Sequence, residues 1–176
     1  MDHAPGTIIV FFDLIGVIEE FSHLKQTEFD LSLIEPGSSY AEDGVAALNA
    51  AARRWQAEGH EVFLVCVSGI RGQFTRTTLA AYLAMRGFDA DALRLHEQHN
   101  APKDESEDAP PTTKGQEVEL WLAGNRWDAF VVFDDFNDGY RKGFYVFVDP
   151  DTGLAPENVE TAQGFVRRQL AAAATR

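Results

Sequence analysis

Residues 7–18 read TIIVFFDLIGVI, and this stretch decides the fold. Its first six residues are apolar apart from Thr7 and do not alternate with polar ones. That pattern is typical of a strand buried on both faces of a parallel sheet. The strand runs directly into Asp13. In open α/β sheets ligands bind beyond the carboxyl ends of the strands, so Asp13 is predicted to lie where a ligand would sit.

Strands and helices alternate along the rest of the chain. Apolar runs predict strands at residues 62–67, 129–133 and 145–148, with a short edge strand at 93–95. Helical spacing is found over residues 41–58, 73–86, 114–122 and 156–174. This order predicts an α/β fold with three layers, in which helices cover both faces of a Rossmann-like parallel sheet. A length of 176 residues fits a single domain over residues 1–176.

Residues 97–113 differ from their surroundings. They carry three prolines, several acids and no aliphatic side chain larger than alanine. This composition predicts a long, exposed and flexible acidic loop within the domain.

The amino-acid composition limits the kinds of molecule that the protein is expected to bind. The net charge of −13 disfavours extended nucleic-acid binding unless a basic patch forms locally, although an acidic surplus is most often only a solubility feature. No apolar run is long enough to span a bilayer, so no membrane partner is expected. The single cysteine, Cys66, lies in an apolar run and is interpreted as a small core residue, which fits a reducing, cytoplasmic compartment.

Each predicted inner strand ends in polar residues. The first ends in Asp13, the second in Ser68 and Gly69, and the third in Asp134 and Asp135. If the sheet is parallel, these groups meet at one edge. The alternative is that each aspartate merely caps the helix that follows its strand.

Lys114 opens the helix just before the third inner strand and is expected at the same edge. Clustered carboxylates repel one another and need a cation, a lysine or a proton. Hard oxygen ligands suit Mg²⁺ completed by water and phosphate. Lys114 would keep Asp13 ionised and bind a phosphoryl group in transfer, and Asp13 could act as a nucleophile.

This ordered set resembles the haloacid dehalogenase (HAD) superfamily. Residues 10–18, VFFDLIGVI, are similar to its first motif, and residues 65–68, VCVS, to its second, which binds the phosphoryl oxygens. Lys114 is placed like the lysine of the third motif, and residues 131–135, VVFDD, match the fourth, which holds the metal. A response-regulator receiver has similar groups but places its acidic pair on the first strand.

The resemblance assigns roles to these residues. Asp13 and Lys114 would be catalytic, while Ser68, Gly69 and Arg71 would bind the substrate phosphate. Asp13, the backbone carbonyl of Ile15, Asp134 and Asp135 would hold the metal. The segments KGQEVELWL from Lys114 and DPDTGL from Asp149 look like a capless HAD subgroup that includes domains found beside RNA-repair enzymes.

One departure from the family concerns Ile15. Phosphatases of this family place a general acid and base two residues after the nucleophile, and isoleucine cannot exchange a proton. The loss of such catalysis typically costs a factor of about 10²–10⁴. HAD members that act on carbon–halogen or carbon–phosphorus bonds also lack this aspartate.

The spacing between motifs leaves no room for a full cap domain. An open site suits a bulky phosphorylated substrate, such as a nucleic-acid end or a phosphoprotein, or a partner protein that closes it. Two functions therefore remain open: a Mg²⁺-dependent hydrolase or phosphotransferase, and a catalytically silent HAD-like domain that binds a phosphate ligand or a protein.

Further polar residues carry weaker signals. Arg71 could reach a phosphate or could equally be a surface or helix-start residue. Asp138 could join the metal ligands, although its sequence context favours a turn residue. His96 and His99 do not fit the His-Glu-x-x-His pattern and are expected in a solvated loop.

Overall fold

The computed structural model describes residues 6–20, 41–102 and 112–175. In these ranges the strands are β1 (Thr7–Phe12), β2 (Glu61–Cys66), β3 (Arg94–Asn100), β4 (Ala129–Asp134) and β5 (Tyr145–Phe147). The helices are α1 (Glu42–Ala57), α2 (Arg76–Met85), α3 (Lys114–Gly124) and α4 (Pro156–Ala173), and a short 3₁₀ turn spans Arg71–Gln73. That residues 1–176 form one domain stays a prediction.

All five strands are parallel, in the order β3-β2-β1-β4-β5. The register places Phe12 opposite both Cys66 of β2 and Phe133 of β4. The chain segments that follow these three residues therefore leave the sheet side by side. The predicted Rossmann-like parallel sheet, with β1 at its centre, is confirmed.

The central strand is buried on both faces, as its unbroken apolar run predicts. Val10 and Phe12 point into the core on the side of α1 and α4, while Ile9 and Phe11 pack on the side of α3. No residue of β1 after Thr7 is more than 2% exposed. Complete burial of such side chains contributes about 1.5–3 kcal/mol each, so β1 is a rigid base for the residue that follows it.

The prediction for residues 97–113 is wrong at its start, because β3 extends through Asn100. This strand pairs with β2 at the edge of the sheet, where polar side chains can face water. Its backbone is held further by the indole N–H of Trp121, which donates to the Gln98 carbonyl at 2.9 Å. Backbone pairing of this kind does not depend on an apolar sequence, so the composition of residues 97–100 does not reveal the strand.

The remaining part of that loop prediction lies mostly at residues 103–111, outside the described residues. The same holds for residues 21–40, which fill most of the gap after the first motif, where a cap could be inserted. Helix α2 begins at Arg76 rather than at residue 73, because the Thr75 side chain caps it by accepting the Thr78 N–H. No helix within the described ranges is long and apolar enough to cross a membrane.

Gly44 of α1 and Gly124 of α3 offer a matched test of the packing. A Cβ on Gly44 would lie 2.0 Å from the Leu154 carbonyl oxygen, whereas a Cβ on Gly124 would meet nothing within 4 Å. We expect Gly44→Ala to lower the free energy of unfolding by about 1–3 kcal/mol through overpacking. Gly124→Ala should be neutral or stabilising by up to about 1 kcal/mol. Urea unfolding of both variants measures this, and equal stability would contradict the packing described.

Candidate functional site

Three carboxylates meet at the carboxyl edge of the sheet. Asp13 follows β1, Asp134 ends β4 and Asp135 comes directly after it. One oxygen from each lies within 4.8 Å of the others. Asp13 is 5% exposed and Asp134 fully buried, so water screens their repulsion poorly. The geometry brings together the three side chains that the sequence pattern assigns to a metal.

Lys114 lies between two of these acids. Its ammonium donates to Asp13 Oδ2 and to Asp134 Oδ2, the latter at 2.9 Å. Burial lowers the pKa of Lys114, but the charges and hydrogen bonds of Asp13 and Asp134 outweigh it and raise the pKa above its ordinary value. Lys114 is therefore a cation at neutral pH, and it offsets part of the charge of the acidic cluster.

The first turn of α3 fixes the position of Lys114. Thr113 caps the helix by accepting the Gln116 N–H at 3.2 Å. The Asp138 carboxylate accepts the Lys114 N–H at 2.8 Å, and the Asp138 carbonyl accepts the Gly115 N–H at 2.9 Å. Asp138 therefore anchors the first turn of α3, and the acidic cluster consists of Asp13, Asp134 and Asp135.

Tyr140 is a contributor to the site that the sequence does not indicate. Its hydroxyl is buried and donates to Asp134 Oδ2 at 2.6 Å. Burial, followed by the charge of Asp13, raises the pKa of Asp134 to about 6. The Tyr140 and Lys114 hydrogen bonds act in the opposite direction and orient the carboxylate. No sequence signal marks a tyrosine in the loop after an acidic pair as its hydrogen-bond donor.

The turn after Asp13 brings Gly16 against Asp135. Gly16 has φ +79°, and a Cβ there would lie 2.6 Å from Asp135 Oδ2. Only glycine allows both this backbone conformation and the close approach of the carboxylate. Ile15 precedes it in the same turn and is half-buried. The proposed metal contact of the Ile15 carbonyl stays a prediction.

A buried ion pair also holds the turn after Asp13 in place. The Glu19 carboxylate is fully buried and accepts from the Arg86 guanidinium and, at 2.5 Å, from the Tyr82 hydroxyl. The Glu19 carbonyl accepts the Gly16 N–H at 2.8 Å. The turn is thus tied to α2, a link that no motif in the sequence indicates.

Ser68 and Gly69 follow β2, the neighbour of β1. Ser68 is 1% exposed, and the Val67 N–H before it donates to the Phe12 carbonyl at 2.9 Å. Around Gly69 there is open space, since nothing lies within 4 Å of a Cβ placed there. Their position beside the Asp13 strand is the one predicted, and their role in binding phosphate stays a prediction.

Arg71 has a different environment from the one expected of a phosphate ligand. Its side chain is buried, and its guanidinium donates to the carbonyls of Ala101 and Ser68, both at 2.9 Å. It also pairs with the buried carboxylate of Glu117 at 2.6 Å. These internal acceptors occupy the guanidinium, so the structure does not present Arg71 to a ligand. Arg71 instead joins the Ser68 loop to α3 through Glu117, which comes three residues after Lys114 in that helix.

The remaining polar candidates contact core residues. The expectation of a solvated loop for His96 and His99 is wrong, because both are half-buried in the edge strand β3. The His96 ring contacts Trp121 edge-on with centroids 4.8 Å apart. Burial lowers the pKa of His96 below its ordinary value. Burial also raises the pKa of the Cys66 thiol to about 12, which makes it an inert core residue as predicted.

Comparison with known proteins agrees with this geometry. A central parallel strand ending in an aspartate, with a lysine and an acidic pair at the same edge, defines an α/β protein of HAD type. Residues 9–159 match the family described as "HAD domain in Swiss Army Knife RNA repair proteins", and the chain belongs to this family. Neither a curated protein nor a solved structure matches the chain.

Two glutamates of α3 provide a matched test of how the site is held. Glu117 pairs with Arg71 in the interior, whereas Glu119 pairs with Arg141 at the surface. Glu117→Gln leaves the Arg71 charge buried and uncompensated, and we expect it to cost about 3–5 kcal/mol of unfolding free energy. Glu119→Gln should cost less than about 1 kcal/mol, because water screens an exposed pair. Chemical denaturation compares the two, and similar losses would contradict the burial of the Arg71 pair.

Proposed function

We propose that the chain is a Mg²⁺-dependent phosphoryl hydrolase or phosphotransferase in which Asp13 is the nucleophile. The observation that carries this proposal is the position of the Lys114 ammonium, in contact with both Asp13 and Asp134, while Asp135 completes the cluster. A half-buried lysine that donates to a carboxylate orients that carboxylate and offsets its repulsion from the neighbouring acids. It also provides positive charge for the oxygens of a phosphoryl group.

The acidic cluster has the chemistry of a magnesium site. Three carboxylates with oxygens within 4.8 Å of one another offer hard ligands, and the half-buried Asp135 leaves the cluster accessible from one side. Asp13, Asp134 and Asp135 would hold the ion, together with the Ile15 carbonyl. When bound, it would neutralise charge on the phosphoryl oxygens and help orient them.

The chemical step follows from these positions. A carboxylate oxygen of Asp13 attacks phosphorus, and the bond from phosphorus to the ester oxygen breaks as that oxygen takes the electron pair. Ser68 and the backbone N–H of Gly69 bind the transferring oxygens together with Lys114. Water, or a second alcohol in a phosphotransferase, then attacks the aspartyl phosphate, which releases the phosphoryl group and restores Asp13.

Ile15 determines which substrates can react. The departing oxygen needs a proton unless it is stable as an anion, and isoleucine has none to give. Glu19, the other acid of this turn, is buried and paired with Arg86, so it cannot substitute. We therefore propose that the protein acts on esters with acidic leaving groups or on phosphoanhydrides, where departure requires no general acid.

The substrate is proposed to be a phosphate on a larger molecule. The matching family is described as belonging to RNA repair proteins, which supports a nucleic-acid end that carries a phosphoanhydride as the substrate. The net charge of −13 opposes extended contact with such a polyanion, so the contact would be confined to the terminus unless a partner protein contributes.

A second candidate function is a catalytically silent domain that binds a phosphate ligand or a protein. Ile15 is the observation that favours it. Both candidates can bind phosphate, but only the first turns substrate over, so a screen of phosphorylated compounds with Mg²⁺ separates them.

Replacement of Asp13 by asparagine tests the nucleophile. Asp13→Asn keeps the shape of the side chain and removes one of three repelling carboxylates, so the melting temperature should stay the same or rise. Turnover of any substrate found in the screen should fall to background. Asp91→Asn, at an exposed position just before the amino end of β3 and so at the opposite edge of the sheet, is the control and should retain turnover. An Asp13→Asn variant as active as the parent would contradict the nucleophile assignment.

The absence of a general acid gives a second test. Across a series of aryl and alkyl phosphates, kcat/KM should fall steeply as the pKa of the leaving group rises. Ile15→Asp should flatten this dependence and raise turnover of alkyl phosphates by up to about 10²–10⁴-fold, because it restores a proton donor. A flat dependence in the parent protein would mean that another residue supplies the proton.

A further inference from the structure

Two exposed aromatic residues are next to the acidic cluster, one along the chain and one across the sheet. Within the described part of the chain, the large apolar residues that remain exposed are Met85, Leu120, Phe136 and Phe147. Phe136 is 68% exposed and follows Asp135 directly, while Phe147 is 57% exposed and pairs with Asp134 in the register of β4 and β5. Both aromatic members of this set thus lie beside the same buried aspartate.

The loop that carries Phe136 is held firmly by the site itself. The Phe136 N–H donates to Asp134 Oδ1 at 3.0 Å, and its carbonyl accepts the Asp138 N–H at 3.1 Å. Asp138 in turn anchors the first turn of α3, and a Cβ on Gly115 would lie 2.2 Å from the Gly139 carbonyl oxygen. The exposed ring is therefore presented by an ordered backbone, which reduces the entropy that a ligand must overcome.

An exposed ring at a fixed place next to a phosphate site suits a planar partner. Aromatic faces stack on planar rings and gain both burial and quadrupole attraction. The same loop carries two acids, Asp135 and Asp138, and two exposed bases, Lys142 and Arg141, the latter paired with Glu119. Its own charges therefore balance and do not oppose a phosphorylated ligand as the net charge of −13 would.

We propose that Phe136, with a smaller contribution from Phe147 of the neighbouring strand β5, binds the base of a nucleotide whose phosphate is held at Asp13. This inference rests on the proposed function of the acidic cluster and names the substrate class. Spacing favours a nucleotide over phosphotyrosine. The Phe136 Cα is two residues from that of Asp134, up to about 7 Å away. A nucleobase is separated from its phosphate by a sugar, which fits this spacing, whereas the ring of phosphotyrosine is joined to the phosphate directly.

Binding of three small phosphates tests the proposal: adenosine monophosphate, ribose 5-phosphate and phosphotyrosine, each titrated calorimetrically with Mg²⁺ present. The parent protein should bind adenosine monophosphate more tightly than ribose 5-phosphate. Phe136→Ala should weaken adenosine monophosphate by about 5- to 100-fold and leave ribose 5-phosphate within twofold, because only the base stacks. Phe136→Trp should keep the affinity of the parent protein for adenosine monophosphate. Phe147→Ala should weaken this affinity less than Phe136→Ala does.

Leu120→Ala, at a 58% exposed position of α3, is the matched control and should change none of the affinities. All these side chains are exposed, so the melting temperature should be unaffected. Lack of adenosine monophosphate binding, an equal effect of Phe136→Ala on the base-free ligand, or a loss confined to phosphotyrosine would overturn the inference. Turnover separates the two proposals. Turnover is measured with adenosine diphosphate, whose phosphoanhydride needs no general acid. Base-dependent binding of adenosine monophosphate without hydrolysis of adenosine diphosphate contradicts the proposed activity alone, and hydrolysis that Phe136→Ala leaves unchanged contradicts only the nucleotide assignment.

Discussion

The repulsion among Asp13, Asp134 and Asp135 is the constraint on which the rest of the structure depends. Two unit charges about 4 Å apart interact by about 4 kcal/mol at the effective dielectric typical of a protein surface. Two of the three acids are buried, where the repulsion is screened less. A fold that keeps them together without compensation would lose stability, and Lys114 supplies the first compensation by contacting two of them.

Several buried contacts serve to keep Lys114 and the acids in place. Asp138 anchors the first turn of α3, Tyr140 donates to Asp134, and Arg71 joins the Ser68 loop to Glu117. Each of these contacts is shielded at least in part from water, and together they join the loops after β2 and β4 to α3. The edge of the sheet is therefore a connected polar network whose members fix one another, as a preorganised site requires.

The fold and the acidic cluster are predictable from the sequence because both follow from the strands. β1 is an unbroken apolar run, and parallel strands must bring their carboxyl ends to one edge, so the apolar runs alone place Asp13, Ser68 and Asp134 together. The full length of β3 is not predictable, since an edge strand held by backbone pairing has no apolar signature. The burial of Arg71 is not predictable either, because its partner Glu117 is 46 residues away. The contact of Tyr140 with Asp134 depends on how the loop folds back, which no local pattern encodes.

The most direct test of the central claim is the response of the melting temperature to Mg²⁺ and beryllium fluoride, which mimics a phosphoryl group on an aspartate. A ligand at 100 times its dissociation constant stabilises the fold by about 2.7 kcal/mol. We predict a clear rise in melting temperature when both are present, little rise with either alone, and no joint effect in Asp13→Asn. An unchanged melting temperature in the parent protein, or an equal rise in Asp13→Asn, would contradict a metal-dependent phosphoryl site at this edge of the sheet.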